Sequence, residues 1–436
     1  MNMSFKKSIA LLAALIMVLS ALTACAGTTA PAAEATATEA PAATAEATAT
    51  EAPAEPETIV FWHTYSEGEE QIFLNEIVPA FEAANPGIKV DAVRMPVDGL
   101  QQQVITAASG NAAPDVMRMD ITWVSQLGKL GALEPLSAYD GFSAIKDNAL
   151  SAPMETNYSA GEYYGLPLNT NTTAAVWNMD FLKACGLTEP PKTLDELVAL
   201  AKQYNDPANE KWVFTIAGTY TWAMLPYFWS LGGNLTSDDY SVATGYLNSD
   251  ASVAALDTIA SWYKDGVISP AIIGEQPDAW GGMSAGNYAM ISEGPWFFSS
   301  NTTTFASQAT AMPTGVAGGI SVVGGEDIVM FAGSAHKTAA WKFMQYMLSD
   351  EAQLAMTKAG MIPVVKSAMD KVDTSASPYL AAYLEQLKTA KPRTPSANWG
   401  QIDTILGKAF ETVIRGEATA KDALDAAAAQ IDPLLQ

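Results

Sequence analysis

An α/β fold follows from the order in which apolar segments alternate along the chain. Short runs with the look of strands are succeeded by stretches whose apolar residues recur at helical spacing. A second observation is compositional: all eleven tryptophans lie beyond residue 58, and the chain before that point is a different material. A third is charge, with a formal net of −24.

Residues 58–63 read as a short buried strand. Ser66 then opens a helix in which Ile72, Phe73, Ile77, Val78 and Phe81 share a face, until Asn85-Pro86-Gly87 stops it. Residues 88–93 alternate as a second strand, 101–108 form a helix, 110–114 a turn and 115–119 a third strand. The same grammar returns at the strand 174–178 and the helix 194–204, which Thr193 opens with Asp195 and Glu196 in its first turn. Helices near 253–264, 339–348, 350–358 and 404–415 complete the reading.

The chain before residue 58 has two parts. Lys6 and Lys7 precede an apolar run over residues 9–22, placed and sized as a secretory signal and short for a membrane span. It ends in Leu22-Thr23-Ala24-Cys25-Ala26-Gly27, which resembles the lipobox of bacterial lipoproteins, so residues 1–24 are expected to be a signal peptide and Cys25 the lipid attachment. With Cys25 acylated, Cys185 is left without a partner, and the exported domain folds without an internal disulfide. Residues 26–57 contain only Ala, Thr, Glu, Pro and Gly, and the string AEATATEAPA occurs twice, at 33–42 and 45–54. Such a stretch lacks the apolar surface to offset its ordering entropy, so residues 25–57 read as a lipidated cysteine and an extended spacer.

Lys6, Lys7 and the six glutamates of the spacer leave −20 for residues 58–436. That surface disfavours nucleic acid and anionic lipid, whose phosphates need Lys and Arg. Among motifs with chemistry, there is no phosphate loop, HExxH, GxSxG or cysteine pair at metal spacing, and neither metal nor cofactor is expected. His336 fits a surface turn and His63 has no visible Ser, Cys or metal partner. A pair of carboxylates for glycoside hydrolysis stays open, because such partners meet only in the fold.

Aromatic residues beside polar ones at strand ends are the stronger signal: Trp62-His63-Thr64-Tyr65, Asp120-Ile121-Thr122-Trp123, Asn169-Thr170-Asn171, Tyr220-Thr221-Trp222, Gly294-Pro295-Trp296 and Asn398-Trp399. An indole stacks on the C–H face of a pyranose while acids and amides take its hydroxyls. Most tryptophans are nevertheless core, and Trp62, Trp229, Trp262 and Trp341 lie in apolar or helical runs. Trp123, Trp222, Trp296 and Trp399 lie near turns.

From residue 58 onward the chain resembles the extracellular solute-binding proteins of ABC sugar importers, the group that includes maltose-binding proteins. The resemblance is carried in order by ETIVFWHTY, FEAANPGIKV, APDVMRMDITWVSQLGKLGALEPL, YYGLPLNTNTTAAVWNMDFL, PKTLDELVALAKQY, GNYAMISEGPW, GGEDIVMFAGSAHKTAAWKFMQYMLSDEAQ and PRTPSANWGQI. It implies a two-lobed fold of the periplasmic-binding-protein type (type II), with a ligand cleft between α/β lobes and crossings near 168–171 and 324–327. The lobes would be 58–168 with 326–365, and 169–325 with 366–436. It implies a monomeric, non-catalytic receptor that faces outward on a lipid anchor and hands a sugar, most of all a maltodextrin-like oligosaccharide, to a membrane permease. Another oligosaccharide, glycerol-3-phosphate, or a secreted glycoside hydrolase are the alternatives.

Carried over residue by residue, the resemblance implies sugar contacts from Thr64, Tyr65 and Glu67 after the first strand, and from Asp120 and Trp123 after the third. Asn171 lies at the crossover. Tyr220 and Trp222 supply the second-lobe aromatic segment, Trp296 and Trp399 stack, and Gly324 and Gly325 let backbone approach the ligand. Glu326 departs from the aromatic often found next, and Lys391 and Arg393 are candidates for a basic contact.

Overall fold

Two sheets organise the molecule, which a computed structural model describes over residues 56–300, 303–375 and 377–435. The signal run, Cys25 and almost all of the spacer lie outside the described residues. In the first sheet Glu57–His63 lies between Ile88–Arg94 and Val116–Asp120, parallel to both. Ser321–Met330 joins antiparallel to Val116–Asp120, and Gly165–Thr172 and Ala390–Lys391 pair with it in turn. The second sheet runs Ser307–Thr310, Ala174–Asn178, Tyr288–Glu293, Trp212–Phe214.

Strand periodicity explains why both sheets are covered on each face. Ala175 and Trp177 point into one apolar cluster and Val176 into another, as successive side chains of a strand must. In the first sheet Ile59 and Phe61 pack with Phe73, Phe81 and Phe343, while Met117 and Met119 pack with Val104 and Leu127 on the other side. Helices supply the covering layers. Leu194–Tyr204 is closed by a reciprocal cap in which Thr193 Oγ1 accepts the Glu196 N–H at 3.1 Å and the Glu196 carboxylate accepts the Thr193 N–H at 3.2 Å. The helix begun after Ser66 runs as Glu67–Ile72, passes through a π turn over Phe73–Ile77 and ends at Ala84. Cys185 is buried and without a disulfide. Trp229, Trp262 and Trp341 are core, and Trp62 is half-buried against the first-sheet core.

The chain passes between the sheets on two strands that lie side by side. Gly165–Thr172 belongs to the first sheet, and after Thr173 the chain enters the second at Ala174. The long strand Ser321–Met330 returns antiparallel beside it, with Gly324 opposite Asn171 and Gly325 opposite Thr170, and shifts register between Glu326 and Asp327. Val322 packs in the second core and Ile328 in the first. Buried hydroxyls tie the crossing together: Ser321 Oγ donates to the Thr173 carbonyl at 2.7 Å and lies 2.9 Å from Thr172 Oγ1.

Gly325 is required where the strands touch. Its φ is +136°, and a Cβ there would lie 2.3 Å from the Asn169 carbonyl oxygen and 2.9 Å from the Thr170 Cα. Gly325→Ala is expected to lower stability by about 2 kcal/mol, read as a lower urea midpoint. Gly87→Ala, at an exposed glycine with open space around it, serves as the control. Equal midpoints for the two variants would remove the constraint assigned to Gly325.

Candidate functional site

Where the sheets face each other, their strand ends and loops enclose a cleft, and its floor is polar. Arg118 stands between Met117 and Met119 in the strand Val116–Asp120 and is 6% exposed. Its Nη2 lies 2.9 Å from Glu326 Oε2 and its Nη1 donates to Thr64 Oγ1 at 2.5 Å. Asn169 Nδ2 donates to the same Glu326 oxygen at 2.6 Å. Burial raises the Glu326 carboxyl, and Arg118 and then Asn169 pull it back. Beneath Arg118 lies Tyr65, 1% exposed, its ring centroid 4.8 Å from the guanidinium carbon and packed on Phe73 and His63. Tyr65 is thus a support of the floor, with almost no surface to give a ligand. His63 is fully buried, and its pKa is lowered to about 4 by burial and then by Arg118 and Arg94, so it is neutral at pH 7.

The second lobe contributes an aromatic wall. Trp222, near the start of the helix Thr221–Ser230, stacks on Trp296 with centroids 6.0 Å apart and planes at 28°. The Arg393 guanidinium sits 5.6 Å from the Trp222 ring on the PRTP segment. Trp296 is 37% exposed and Tyr220, before the helix, 47%. Burial raises the Tyr220 phenol, and Glu293 raises it further. Glu293 is itself pushed up by burial, against the hydrogen bonds it receives from the Gly294 N–H and the Trp296 side chain.

Two cavities mark the ends of this cleft. One is lined by Glu69, Arg118, Asn169, Thr170, Asn171, Trp296 and Glu326 among others. The other joins Ile121, Thr122, Ser125 and Glu155 of the first lobe to Tyr240, Arg393, Thr394 and Trp399 of the second. Among the described residues, Asn171 Oδ1 and Arg393 Nε are buried without a hydrogen-bond partner. Burial lowers the Arg393 pKa, offset by Asp120 and Asp403.

The structure gathers Thr64, Asp120, Asn171, Trp222, Trp296 and Trp399 around the cleft. Asp120 accepts from the Thr122 N–H at 2.8 Å and from Thr122 Oγ1 at 2.6 Å. Trp399 is only 5% exposed; it opens the helix Trp399–Ile414 and packs in the second core, presenting an edge to the cavity. Trp123 is half-buried against the first-lobe cluster of Met117 and Met119, and the cavity takes its neighbours Thr122 and Ser125 instead. Glu67 is exposed; two residues further round the helix, Glu69 is the acid on the cleft wall, since a step of two residues turns a helix by more than half. At Gly324 a Cβ would lie 2.2 Å from Asn171 Oδ1 and 2.6 Å from the Trp222 ring, so that glycine makes room for protein side chains. Lys391 is exposed, its Nζ 5.9 Å from the Trp229 ring. Sequence reasoning missed Arg118, Glu69, Glu155 and Tyr240. Arg118 had a signal, a lone cation inside a buried strand.

A model of the bacterial extracellular solute-binding proteins matches residues 76–382. The chain belongs to that family. Among relatives of this solute-binding protein, the maltotriose-binding protein of Pyrococcus abyssi is 26% identical over 373 residues, covering 80% of this chain and 77% of that protein. The galactooligosaccharide-binding protein of Bacillus subtilis is 24% identical over 387 residues, covering 85% and 87%. The crystal structure of the cyclic alpha-maltosyl-1,6-maltose binding protein from Arthrobacter globiformis superposes with a TM-score of 0.76 at 23% identity, covering 87% of this chain and 99% of that one. These matches establish the two-lobed, maltose-binding-protein-like architecture. The family and these relatives are binding proteins rather than enzymes, and the family is outward-facing. Among the described residues no helix is long and apolar enough to cross a membrane.

The crossing strand also holds a titrating group. Asp327 is fully buried, accepts from Asn157 Nδ2 at 2.9 Å and lies 3.0 Å from the Thr156 hydroxyl; burial holds its carboxyl well above the usual range. The folded state keeps this proton after the unfolded chain has lost it. Wild-type stability therefore falls as pH rises from about 4 toward the raised value. Asp327→Asn lacks that component, so the difference in Tm between variant and wild type is expected to shift in the variant's favour as pH rises through this window. A difference independent of pH would contradict it.

Proposed function

We propose that this solute-binding protein is the receptor of an ABC importer for an oligosaccharide of maltodextrin type, non-catalytic and monomeric. The carrying observation is the arrangement of the cleft: Trp296, stacked on Trp222, shares a cavity with Asn171, Arg118, Glu69 and Glu326. Flat aromatic surface takes the apolar face of a pyranose, and amides and acids take its rim. The names of the Pyrococcus and Bacillus relatives support the same class. The lobes would comprise 58–168 with 326–365, and 169–325 with 366–436, the cleft closing over the sugar by motion about the two crossing strands. Cys25 carries the lipid, and the spacer holds the receptor off the membrane within reach of its permease.

A thermal-shift screen with maltodextrins, galactooligosaccharides and glycerol-3-phosphate tests the substrate class. A true ligand at 100 times its Kd adds about 2.7 kcal/mol of stability. A response to glycerol-3-phosphate alone, or sustained release of cleaved sugar, would replace the proposal. Trp296→Ala is expected to weaken sugar binding by about thirtyfold, near 2 kcal/mol, with the unliganded Tm close to wild type. Unchanged affinity would take Trp296 out of the site.

The anchor has its own test. Cys25→Ser is expected to abolish incorporation of labelled fatty acid into the protein in the producing cell. Equal labelling of the variant and the wild type, or no labelling of the wild type, would refute lipidation at Cys25.

A further inference from the structure

One loop of the second lobe reaches the first without using the tryptophan wall. Between Leu235 and Leu247, both buried in the second core, the chain turns at Tyr240 with φ of +59°. A bulky residue is an outlier there, and strain of this kind persists only where the surroundings impose it. The surroundings are specific. The Ser237 and Ser241 hydroxyls donate to Asp239 Oδ1 at 2.6 and 2.7 Å, and the Tyr240 N–H donates to the Ser237 carbonyl at 2.9 Å. Asp432 Oδ1 then accepts the N–H groups of Ala243 and Thr244 at 2.6 and 3.1 Å.

What this turn achieves is the placement of one ring. Tyr240, 36% exposed, lines the cavity it shares with Arg393 and Trp399 of its own lobe and with Thr122, Ser125 and Glu155 of the other. Burial raises its phenol, and the Glu155 and Asp238 carboxylates raise it further. Among the described residues no hydrogen bond joins Tyr240 to Glu155, and Glu155 accepts the Tyr163 hydroxyl at 3.2 Å. A phenol and a carboxylate that line one cavity without bonding to each other are a donor and an acceptor that a hydroxyl can bridge. The cavity also has a direction. Trp296 stacks on Trp222 and Trp222 on Arg393, so a chain lying along the wall from Trp296 passes Arg393 and meets Tyr240.

We propose that Tyr240 and Glu155 form a terminal subsite for the last unit of a bound oligosaccharide, and that the Tyr240 ring sets the length of chain accepted. This rests on the sugar reading above. Glu155 accepts a terminal hydroxyl, Tyr240 Oη donates to it, and the ring stands where a further unit would continue. The strained turn is what keeps the ring in that line.

Calorimetric titration with the maltose-to-maltohexaose series and with galactooligosaccharides of matching lengths tests it, on the wild type, Tyr240→Asn and Tyr240→Phe. Asn tolerates a left-handed backbone, so the turn is kept while the ring is removed. The expected result is that Tyr240→Asn relaxes the penalty against the longest chains by about tenfold relative to the preferred one. Tyr240→Phe is expected to keep the wild-type length profile and weaken the preferred chain by about threefold to tenfold. A Tyr240→Asn profile equal to wild type overturns the subsite while leaving the sugar reading intact, as does a Tyr240→Phe profile relaxed like that of Asn. A wild type that binds no oligosaccharide defeats the sugar reading and this inference with it.

Discussion

The Arg118–Glu326 pair is the constraint around which the cleft is built. A guanidinium in the middle of a buried strand has five donors and a charge to satisfy. Removing two such ions from water costs several kcal/mol each, which their attraction offsets only when geometry and further hydrogen bonds are good. Here the sheet register supplies the geometry. Glu326 is opposite Asp120 and Ile328 opposite Arg118, which makes Arg118 and Glu326 a diagonal pair within reach of long side chains. Thr64 and Asn169 complete the network. The strand Val116–Asp120, both crossing strands and the turn after Glu57–His63 are thereby tied to a single charge.

That fixture decides what the cleft offers. On the first-lobe side charges are compensated within the protein: Arg118 by Glu326, and Asp120 by the Thr122 N–H and hydroxyl. The carbonyl oxygen of Asn171 and the Nε of the Arg393 guanidinium are buried and, among the described residues, without a hydrogen-bond partner, as are Arg118 Nε and Asn169 Oδ1. Buried polar atoms without partners are uncommon, and at a site they mark where a ligand supplies the missing group. A hydroxyl both donates and accepts, so a polyol answers an orphan acceptor and an orphan donor with one kind of group. A fully ionised phosphate group answers only the donor. The acids around Arg393 argue in the same direction, because Asp120 and Asp403 already favour its charged form.

Local structure was legible in the sequence and side-chain direction was not. The strand Ala174–Asn178 and the helix Leu194–Tyr204 were predicted to the residue, because alternation, helical spacing and the Thr193 cap are written in neighbouring positions. The aromatic segments were also found. Which aromatic faces the ligand depends on partners far along the chain. Tyr65 disappears under Arg118, Trp399 sinks into a helix-packed core, and Trp123 turns to Met117 and Met119. The exchange of Glu67 for Glu69 is a matter of helical phase, set by where the helix starts after Ser66. Tyr240 was out of reach for another reason: its position follows from a strained turn whose ties, among them Asp432, are distant in sequence.

The same crossing that joins the lobes also supports the aromatic wall. Gly324 has no side chain, and Trp222 and Asn171 occupy the place one would take. The wall therefore rests directly on the long crossing strand, one residue from Gly325 and two from Glu326. These two strands run from one sheet core to the other beside each other. The buried hydroxyl cluster at Thr172, Thr173 and Ser321 ties them together at one end, and the Arg118 network ties them at the other. A ligand in the proposed place beside Trp296 and Asn171 would touch the side chains that pack on Gly324, so the proposed site and the crossing share that position.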